Sequence, residues 1–580
     1  MSRSCVSQSD CPRGNLCFRG ECLARGAARA ARARNVGLTR SRQPPQPWKH
    51  AQGDERIIGE ALRRVARVPR QVRCGSAGRP QWYQRVVASF LAPSSSVDRL
   101  LIAHQLGTGK TLSMLTVLSA YYRDPRPVLV IVPTQALVAN FYDELLKHPT
   151  RLRKYVTQCL GEPPTPLTAS YREQCVQLLE KKARVRDGRV IPHKTCPNEP
   201  SAPIRCFRMT AAGAPRFHDQ ALFKVARRLG PGTGFDRCVV MVDEAHLLTQ
   251  PGAWQPTQRA SVARLAERLR TAREAKLALL SATPVQDDGD AVRVMRIVQG
   301  DDGAALPGYV SYFMHRLPSV FASSTPDDGF PRVVRVPLMG RNAQAYLAAK
   351  RPNYTVEHMA TGQYWGYARL LRETDGADFT GVATKLERIA AAIAAHGQKT
   401  CVLIHRSNGL EMLRAILEAK GVRVAAAMAA KSSERAGVVA ATNAEAIRRF
   451  NAADNLRGET IPCILLDARE FSEGVSLQTV RHLVLGDLAD GARPPSWSRV
   501  KQRIGRALRF CSHDALPPAE RGVAVTLYVA THDAKPTMDE RHLETVRAQM
   551  QRVERALCRL EDTALDRGLY GPRACALAKL

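Results

Sequence analysis

Four short strings in this chain carry residue types and spacings that can do chemistry. The first is HQLGTGKT, His104 to Thr111. A Gly-bearing turn between an apolar strand and a helix aims several backbone N–H groups at one point, where the helix dipole adds attraction for phosphate. There Gly107, Thr108 and Gly109 would cradle the phosphates of ATP, Lys110 would reach its β- and γ-phosphates, and the Thr111 hydroxyl would ligate Mg²⁺. His104 stands where the general phosphate-loop pattern has its first glycine. The second string, VVMVDEAH, ends an apolar run in two adjacent carboxylates. Asp243 suits a Mg²⁺ position, and Glu244 suits orienting and deprotonating an attacking water. The third, SATP from Ser281 to Pro284, again closes an apolar run, although a plain turn fits those four letters equally well. The fourth, SRVKQRIGRALRF from Ser498 to Phe510, sets Gln502, Arg506 and Arg509 near one helical face at i, i+4 and i+7. Arginines presented from a separate domain can neutralise charge developing on a γ-phosphate; the bland alternative is a solvated basic helix.

Such groups need a scaffold that delivers them to one cleft. From about Leu100 the sequence alternates strand-length apolar runs with helical patterns: LLIAH, then PVLVIVP, CVVMVD and LALLSATP. A second set follows late in the chain: TCVLIH, IPCILLDA, VRHLVLGD and VAVTLYVA. Buried parallel sheets read this way, and their ligands sit at the C-terminal strand ends, where these polar residues occur. The expected architecture is therefore α/β with two parallel-sheet domains. The boundaries expected are a Cys-rich unit at 1–22, a basic flexible arm at 23–70, a first domain at 71–300 with an insertion near 150–210, a bridging region at 301–380, a second domain at 381–535 and a charged helical segment at 536–580.

Composition narrows the partners. The 580 residues are 44% hydrophobic and 24% charged, ordinary for a globular protein, yet 86 Lys+Arg against 53 Asp+Glu leave a formal charge of +33. That balance favours a polyanion, with nucleic acid ahead of an anionic membrane. No apolar run reaches 18 residues and none near Met1 suits a signal peptide, so a soluble, intracellular, non-secreted protein is expected. With nucleic acid as partner, the Ser281 and Thr283 hydroxyls are candidates to link the nucleotide site to its track.

Phosphate loop, acidic pair, Ser-Ala-Thr and Gln/Arg string, in this order, resemble superfamily 2 helicases and translocases. The resemblance implies two RecA-like domains with ATP in the cleft between them, over roughly residues 75 to 535. It also implies that RPQWYQ at Arg79 to Gln84 is the adenine-recognition segment, with Gln84 reading the base and Tyr83 or Trp82 packing nearby. PTQAL, with Pro133 and Thr134, resembles the segment touching the nucleic-acid backbone, and SEGVSL, with Ser472, its counterpart in the second domain, where Gly474 would belong to the nucleotide-binding set. Structural turns explain both strings nearly as well. A narrower likeness, carried by KLERIAAAI, CVLIHRSNGLEMLRAILEAKGV, EGVSLQTVRHLVLGD and above all QRIGRALRFCSHDALP, is to the nucleoside triphosphatase I and early-transcription-factor helicases of large DNA viruses. It implies DNA rather than RNA as the track, viral RNA polymerase or transcription factors as partners, and the virion and cytoplasmic viral factory as location; outside a virus, nucleus or cytoplasm would apply. An RNA helicase, a chromatin-remodelling-type double-stranded DNA translocase, and a non-catalytic nucleic-acid-binding scaffold are the competing readings.

The N-terminal unit, the arm and the insertion lie outside this pattern. Cys5, Cys11, Cys17 and Cys22 are spaced like a small disulfide module more than a zinc site, and Zn²⁺ or disorder remain alternatives. Six arginines and no acid between Leu23 and Gln43 read as a flexible arm. Cys159, Cys175, Cys196 and Cys206 form a looser set with a weaker case for zinc.

Overall fold

The computed structural model describes residues 15–18, 21–24, 55–66, 79–121, 128–133, 135–165, 167–180, 184–186, 189–191, 235–250, 256–285, 288–300, 308–313, 330–340, 384–428, 436–468, 475–488 and 495–567, with a few single residues between them. Eleven strands among them make two parallel sheets. The first is built from β1 (Arg99–His104), β2 (Val128–Ile131), β3 (Val239–Val242), β4 (Lys276–Ser281) and β5 (Val310–Phe313), in the order β2-β3-β4-β1-β5. The second comprises β6 (Arg332–Pro337), β7 (Thr400–Ile404), β8 (Val424–Ala427), β9 (Cys463–Asp467), β10 (His482–Leu485) and β11 (Ala524–Thr531), in the order β6-β11-β10-β7-β9-β8. The two α/β units expected from the apolar runs are thus present.

Each sheet is buried on both faces, and the period of two along a strand decides which core a side chain joins. On β1, Leu100 and Ile102 enter a cluster under α2 (Trp82–Phe90), α3 (Lys110–Ala120) and α4 (Gln135–Lys147), whereas Leu101 and Ala103 enter a second cluster. On β7, Val402 and Ile404 pack with α9 (Thr384–His396) and α10 (Leu410–Ala419), whereas Cys401 and Leu403 join that same second cluster. One apolar core therefore runs through both lobes. Cations close the N-terminal ends of the first sheet: Lys276 Nζ donates to the carbonyls of Ser95 (2.6 Å) and Val97 (2.7 Å), and Arg99 donates to the carbonyls of Ile297 (3.0 Å) and Ala272. The opposite ends stay available for chemistry.

Several boundaries differ from expectation. The segment 150–210 is in part helical: α5 (Arg151–Leu160), N-capped by Thr150, and α6 (Ala169–Glu180) bury Leu152, Tyr155, Val156 and Tyr171 against the first lobe. The stretch 301–380 contributes β5 to one sheet and β6 to the other, so it is not solely a bridge. Near the N terminus the described residues form an antiparallel pair, Asn15–Phe18 with Glu21–Ala24, in which Cys17 lies opposite Cys22; Cys5, Cys11 and residues 25–54 lie outside the described residues, whereas residues 55–66 of the expected flexible arm form a helix, Glu55–Ala66, that buries Ala61 and Val65 in the first lobe's core. Cys175 is free and buried, which pushes its thiol up to about 12 and makes it a poor metal ligand.

The charged C-terminal run is a single helix, α13 (Met538–Asp562), opened by a capping box of Thr537 and Glu540. Leu543, Val546, Val553, Leu557 and Leu560 are buried along one stripe at alternating spacings of about three, four and seven residues and join the core shared by both sheets. Its start is fixed on the second lobe by the buried Asp539, which accepts from Lys385 Nζ (2.5 Å) and the Ala530 N–H (2.8 Å). Glu554 further along accepts from Lys501 Nζ (2.6 Å), tying it to α12 (Trp497–Ile504).

Candidate functional site at the lobe interface

The phosphate loop begins where β1 ends. Gly107 and Gly109 adopt φ values of 79° and 75°, the left-handed region that side-chain-bearing residues avoid, and Lys110 then opens α3. Tyr83 Oη donates to the Thr108 carbonyl (2.8 Å), and Gln84 Nε2 donates to the carbonyls of Thr108 and Gly109 (both 3.0 Å), while Gln84 Oε1 accepts from Gln81 N–H (2.8 Å). Gln84 is 1% exposed. Its amide is engaged in bracing the loop, not in presenting a free edge to a base.

Opposite the loop, β3 delivers Asp243 and Glu244. Asp243 Oδ1 accepts the Glu244 N–H (3.0 Å), and Glu244 sits at φ 47°, ψ 48°, a conformation that costs a non-glycine residue on the order of 1 kcal/mol or more. That turn aims the carboxylate at Lys110, whose Nζ lies 3.8 Å from Glu244 Oε1. Burial alone would raise the Glu244 pKa. The charge of Lys110, with His246 and Arg506 beside it, outweighs burial and holds the carboxyl at about 2. His246 Nδ1 is 3.2 Å from Glu244 Oε2 and 2.9 Å from Ser281 Oγ, and Ser281 Oγ also accepts the Thr283 N–H at 3.0 Å. Ser281 is wholly buried and Thr283 is 1% exposed, so both lie inside the first lobe. The Ser281 hydroxyl faces His246 and its own turn. His246, to which the sequence reading gave no role, is the link.

The second lobe meets this site through the segment after α12. The helix closes at Ile504, with Gly505 at its C-cap, so Arg506 and Arg509 lie in the following turns and not on one continuous helical face. They converge nonetheless: Arg506 Nη1 and Arg509 Nη2 donate to the Val475 carbonyl at 3.2 and 2.6 Å, and Arg506 Nε donates to the carbonyl of the buried Gln502 at 3.2 Å. Arg506 is 5% exposed and its charge reaches Glu244 across the interface. Burial lowers the Arg509 pKa. The Phe510 N–H donates to the Gly107 carbonyl (3.1 Å), and a Cβ at Gly107 would come within 2.7 Å of Arg509 Cα. The phosphate loop and the arginine turn are therefore in direct contact. Val475 lies within the string SEGVSL; Ser472 and Gly474 of that string, and Thr134, lie outside the described residues, while Pro133 is buried.

Two further buried groups hold the arginine segment in place. Arg503, 1% exposed, donates to Asp487 Oδ1 (3.1 Å) and to its carbonyl (2.7 Å). Asp487 Oδ2 accepts from His405 N–H (2.7 Å) and Asn408 Nδ2 (2.9 Å), so one carboxylate ties α12 to the ends of β7 and β10.

The Thr111 hydroxyl and the Asp243 carboxylate are hard oxygen donors beside a phosphate loop, a set that suits Mg²⁺ bound jointly by protein and phosphate oxygens. Among the described residues no group of three or more His, Cys, Asp and Glu is placed to hold a metal by itself.

A parallel-sheet lobe with a phosphate loop and acidic pair, faced by a second lobe that supplies arginines, defines a two-lobed phosphate-loop core. Residues 79–286 match the family "Type III restriction enzyme, res subunit" and residues 384–511 match "Helicase conserved C-terminal domain", together more than half of the chain. The chain belongs to the superfamily 2 helicases. It is 23% identical over 501 residues to "Putative helicase 009L" of Frog virus 3, covering 77% of this chain and 48% of that protein. It is 39% identical over 82 residues to the early transcription factor large subunit homolog of African swine fever virus, covering 14% of this chain and 7% of that protein. It is 30% identical over 104 residues to nucleoside triphosphatase I of Melanoplus sanguinipes entomopoxvirus, covering 18% of this chain and 15% of that protein. The chain thus spans about half the length or less of these relatives. Among solved structures, S. cerevisiae Dbp5 bound to RNA and ADP BeF3 is similar over 85% of this chain and 90% of that one, at 13% identity and a TM-score of 0.41.

Proposed function

We propose that this chain is an ATP-driven nucleic-acid translocase or helicase, with DNA as its track, serving transcription in a large DNA virus. The observation that carries the reading is the meeting of Lys110, Glu244 and Arg506 at one point between the lobes. Each has a defined task in phosphoryl transfer. Lys110 exchanges the Glu244 carboxylate for the β- and γ-phosphates. Freed of that charge, Glu244 becomes more basic and orients and deprotonates the attacking water. Arg506 and Arg509 exchange the Val475 carbonyl for the γ-phosphate, which draws the second lobe against the first. Thr111 and Asp243 would hold Mg²⁺, which when bound neutralises phosphate charge. Hydrolysis releases the arginines, and alternating closure and opening moves the lobes along a strand.

The name of the African swine fever virus relative, an early transcription factor subunit homolog, supports a task in transcription; on this reading viral RNA polymerase or transcription factors are the partners and the virion or cytoplasmic viral factory is the location. No helix among the described residues is long and apolar enough to cross a membrane. The test is ATP hydrolysis measured with and without single- and double-stranded DNA or RNA. DNA-stimulated turnover is expected; stimulation by RNA alone would replace the DNA track with an RNA one, and no stimulated turnover would favour a non-catalytic binding scaffold.

A further inference from the structure

His104 occupies the phosphate-loop position expected to be glycine, and it is fully buried at the end of β1. Its Nε2 lies 3.0 Å from Ser311 Oγ on the neighbouring strand β5, and Ser311 Oγ donates to Asp566 Oδ2 at 2.5 Å. Asp566 Oδ1 accepts the Tyr312 N–H at 2.9 Å, and both Ser311 and Asp566 are wholly buried. The serine has one hydroxyl proton, which goes to the acceptor-only carboxylate, so the imidazole must donate through Nε2. Among the described residues Nδ1 has no hydrogen-bond partner, which leaves Ser311 as the hydrogen bond that orients the ring.

The carboxylate arrives from the C-terminal end of α13. After that helix the backbone lies beside β5: Ala564 bridges Val310 in parallel, the Leu565 N–H donates to the Val310 carbonyl (2.7 Å), and the Gly308 N–H donates to the Thr563 carbonyl (3.3 Å). The helix starts on the second lobe and spans 25 residues, about 37 Å at 1.5 Å per residue, before its continuation caps the edge of the first sheet. Neither matched family region reaches residue 538.

We propose that the C-terminal segment is a strap that sets the phosphate loop: Asp566, acting through Ser311, is a positioning residue that fixes His104 and with it the start of the loop. Docking of the strap on the first sheet would then be coupled to competence for nucleotide turnover, a coupling that rests on the ATPase reading above.

The test uses the full chain with Ser311→Ala, Asp566→Ala, His104→Gly and the double variant His104→Gly/Ser311→Ala. Amide hydrogen exchange at residues 104–111, measured without nucleotide, is expected to rise roughly tenfold in Ser311→Ala, as for the loss of one charge-assisted hydrogen-bond relay. Exchange in β4 should be unchanged, and Ser311→Thr, which keeps the hydroxyl, should restore the loop. In the His104→Gly background Ser311→Ala should add nothing, because the relay has lost its endpoint. Turnover should follow, with kcat lowered about tenfold and KM for ATP changed much less. Unchanged loop exchange in both Ser311→Ala and Asp566→Ala, or an equal effect of Ser311→Ala with and without His104, would overturn the proposal. If Ser311→Ala does not fold, Ser311→Cys replaces it in the same comparison. A wild-type chain without ATPase activity would defeat the functional reading alone, since the exchange comparison decides the strap independently.

Discussion

At the scale of residues, the site is a set of charges each held by a partner that ATP would replace. Lys110 rests on Glu244, and Arg506 and Arg509 rest on the Val475 carbonyl. Lys110→Ala should therefore abolish nucleotide turnover while leaving salt-sensitive nucleic-acid binding largely intact, measured by ATPase and filter-binding assays on the same preparation; equal loss of both would make Lys110 structural. On the proposed function Arg506 acts on developing γ-phosphate charge, so in Arg506→Ala turnover should fall by about 10³ or more while ATP affinity changes little. A wild-type rate for this variant would take Arg506 out of the mechanism. Both variants also report on Glu244. Without Lys110 the buried carboxyl loses the charge that holds it at about 2, and its pKa should rise, readable as an altered carboxylate titration by isotope-edited infrared spectroscopy.

At the scale of elements, α12 and β10 decide whether those charges are presented correctly. Arg503 and Asp487 are each buried and paired, so Arg503→Ala would strand a carboxylate that also caps the β7 end. The expected loss is on the order of 3–5 kcal/mol in urea unfolding, and Arg503→Met, which fills similar volume, should not recover it. β10 also carries His482, whose Nδ1 lies 2.6 Å from His396 Nε2 and whose Nε2 lies 3.0 Å from Thr526 Oγ1. Burial, with the charges of His396 and Arg332, lowers its pKa to about 4 from 6.5. The folded state therefore holds the neutral ring. This contribution is fully present above pH 6.5 and is lost as pH falls toward 4, where the unfolded chain binds the proton first. A decline on the order of 3 kcal/mol across that window is expected, and His482→Gln should flatten it in pH-dependent unfolding.

At the scale of the whole molecule, two lobes, one continuous core and a net charge of +33 describe a basic protein whose lobes are joined through more than the nucleotide cleft. If backbone phosphates supply its grip on nucleic acid, affinity should fall steeply with salt, with a log–log slope of roughly 0.7–0.9 per phosphate neutralised. A flat salt response would mean that the surplus charge serves another partner. The helix α13 makes the molecule's behaviour non-local, since the same element is anchored on the second lobe at Asp539 and reaches the edge of the first sheet.

The sequence by itself determined the local pieces: eight apolar runs became eight strands, because a strand buried on both faces must be a continuous hydrophobic segment. The phosphate loop and acidic pair were equally legible, since their chemistry needs a fixed spacing within one strand–turn–helix unit. Three strands left no such mark. VSYF at β5 is four residues long, RVVRVP at the edge strand β6 is interrupted by two arginines, and VAAA at β8 has a single β-branched residue followed by three alanines. Tertiary structure alone decided that α12 stops before its arginines, that Ser281 and Thr283 turn inward, that Gln84 braces the loop, and that Asp566 comes to lie beside a serine 255 positions earlier. Contacts of that kind are made by pairing and packing between distant segments, and a buried polar group takes whichever partner the fold brings within hydrogen-bond reach.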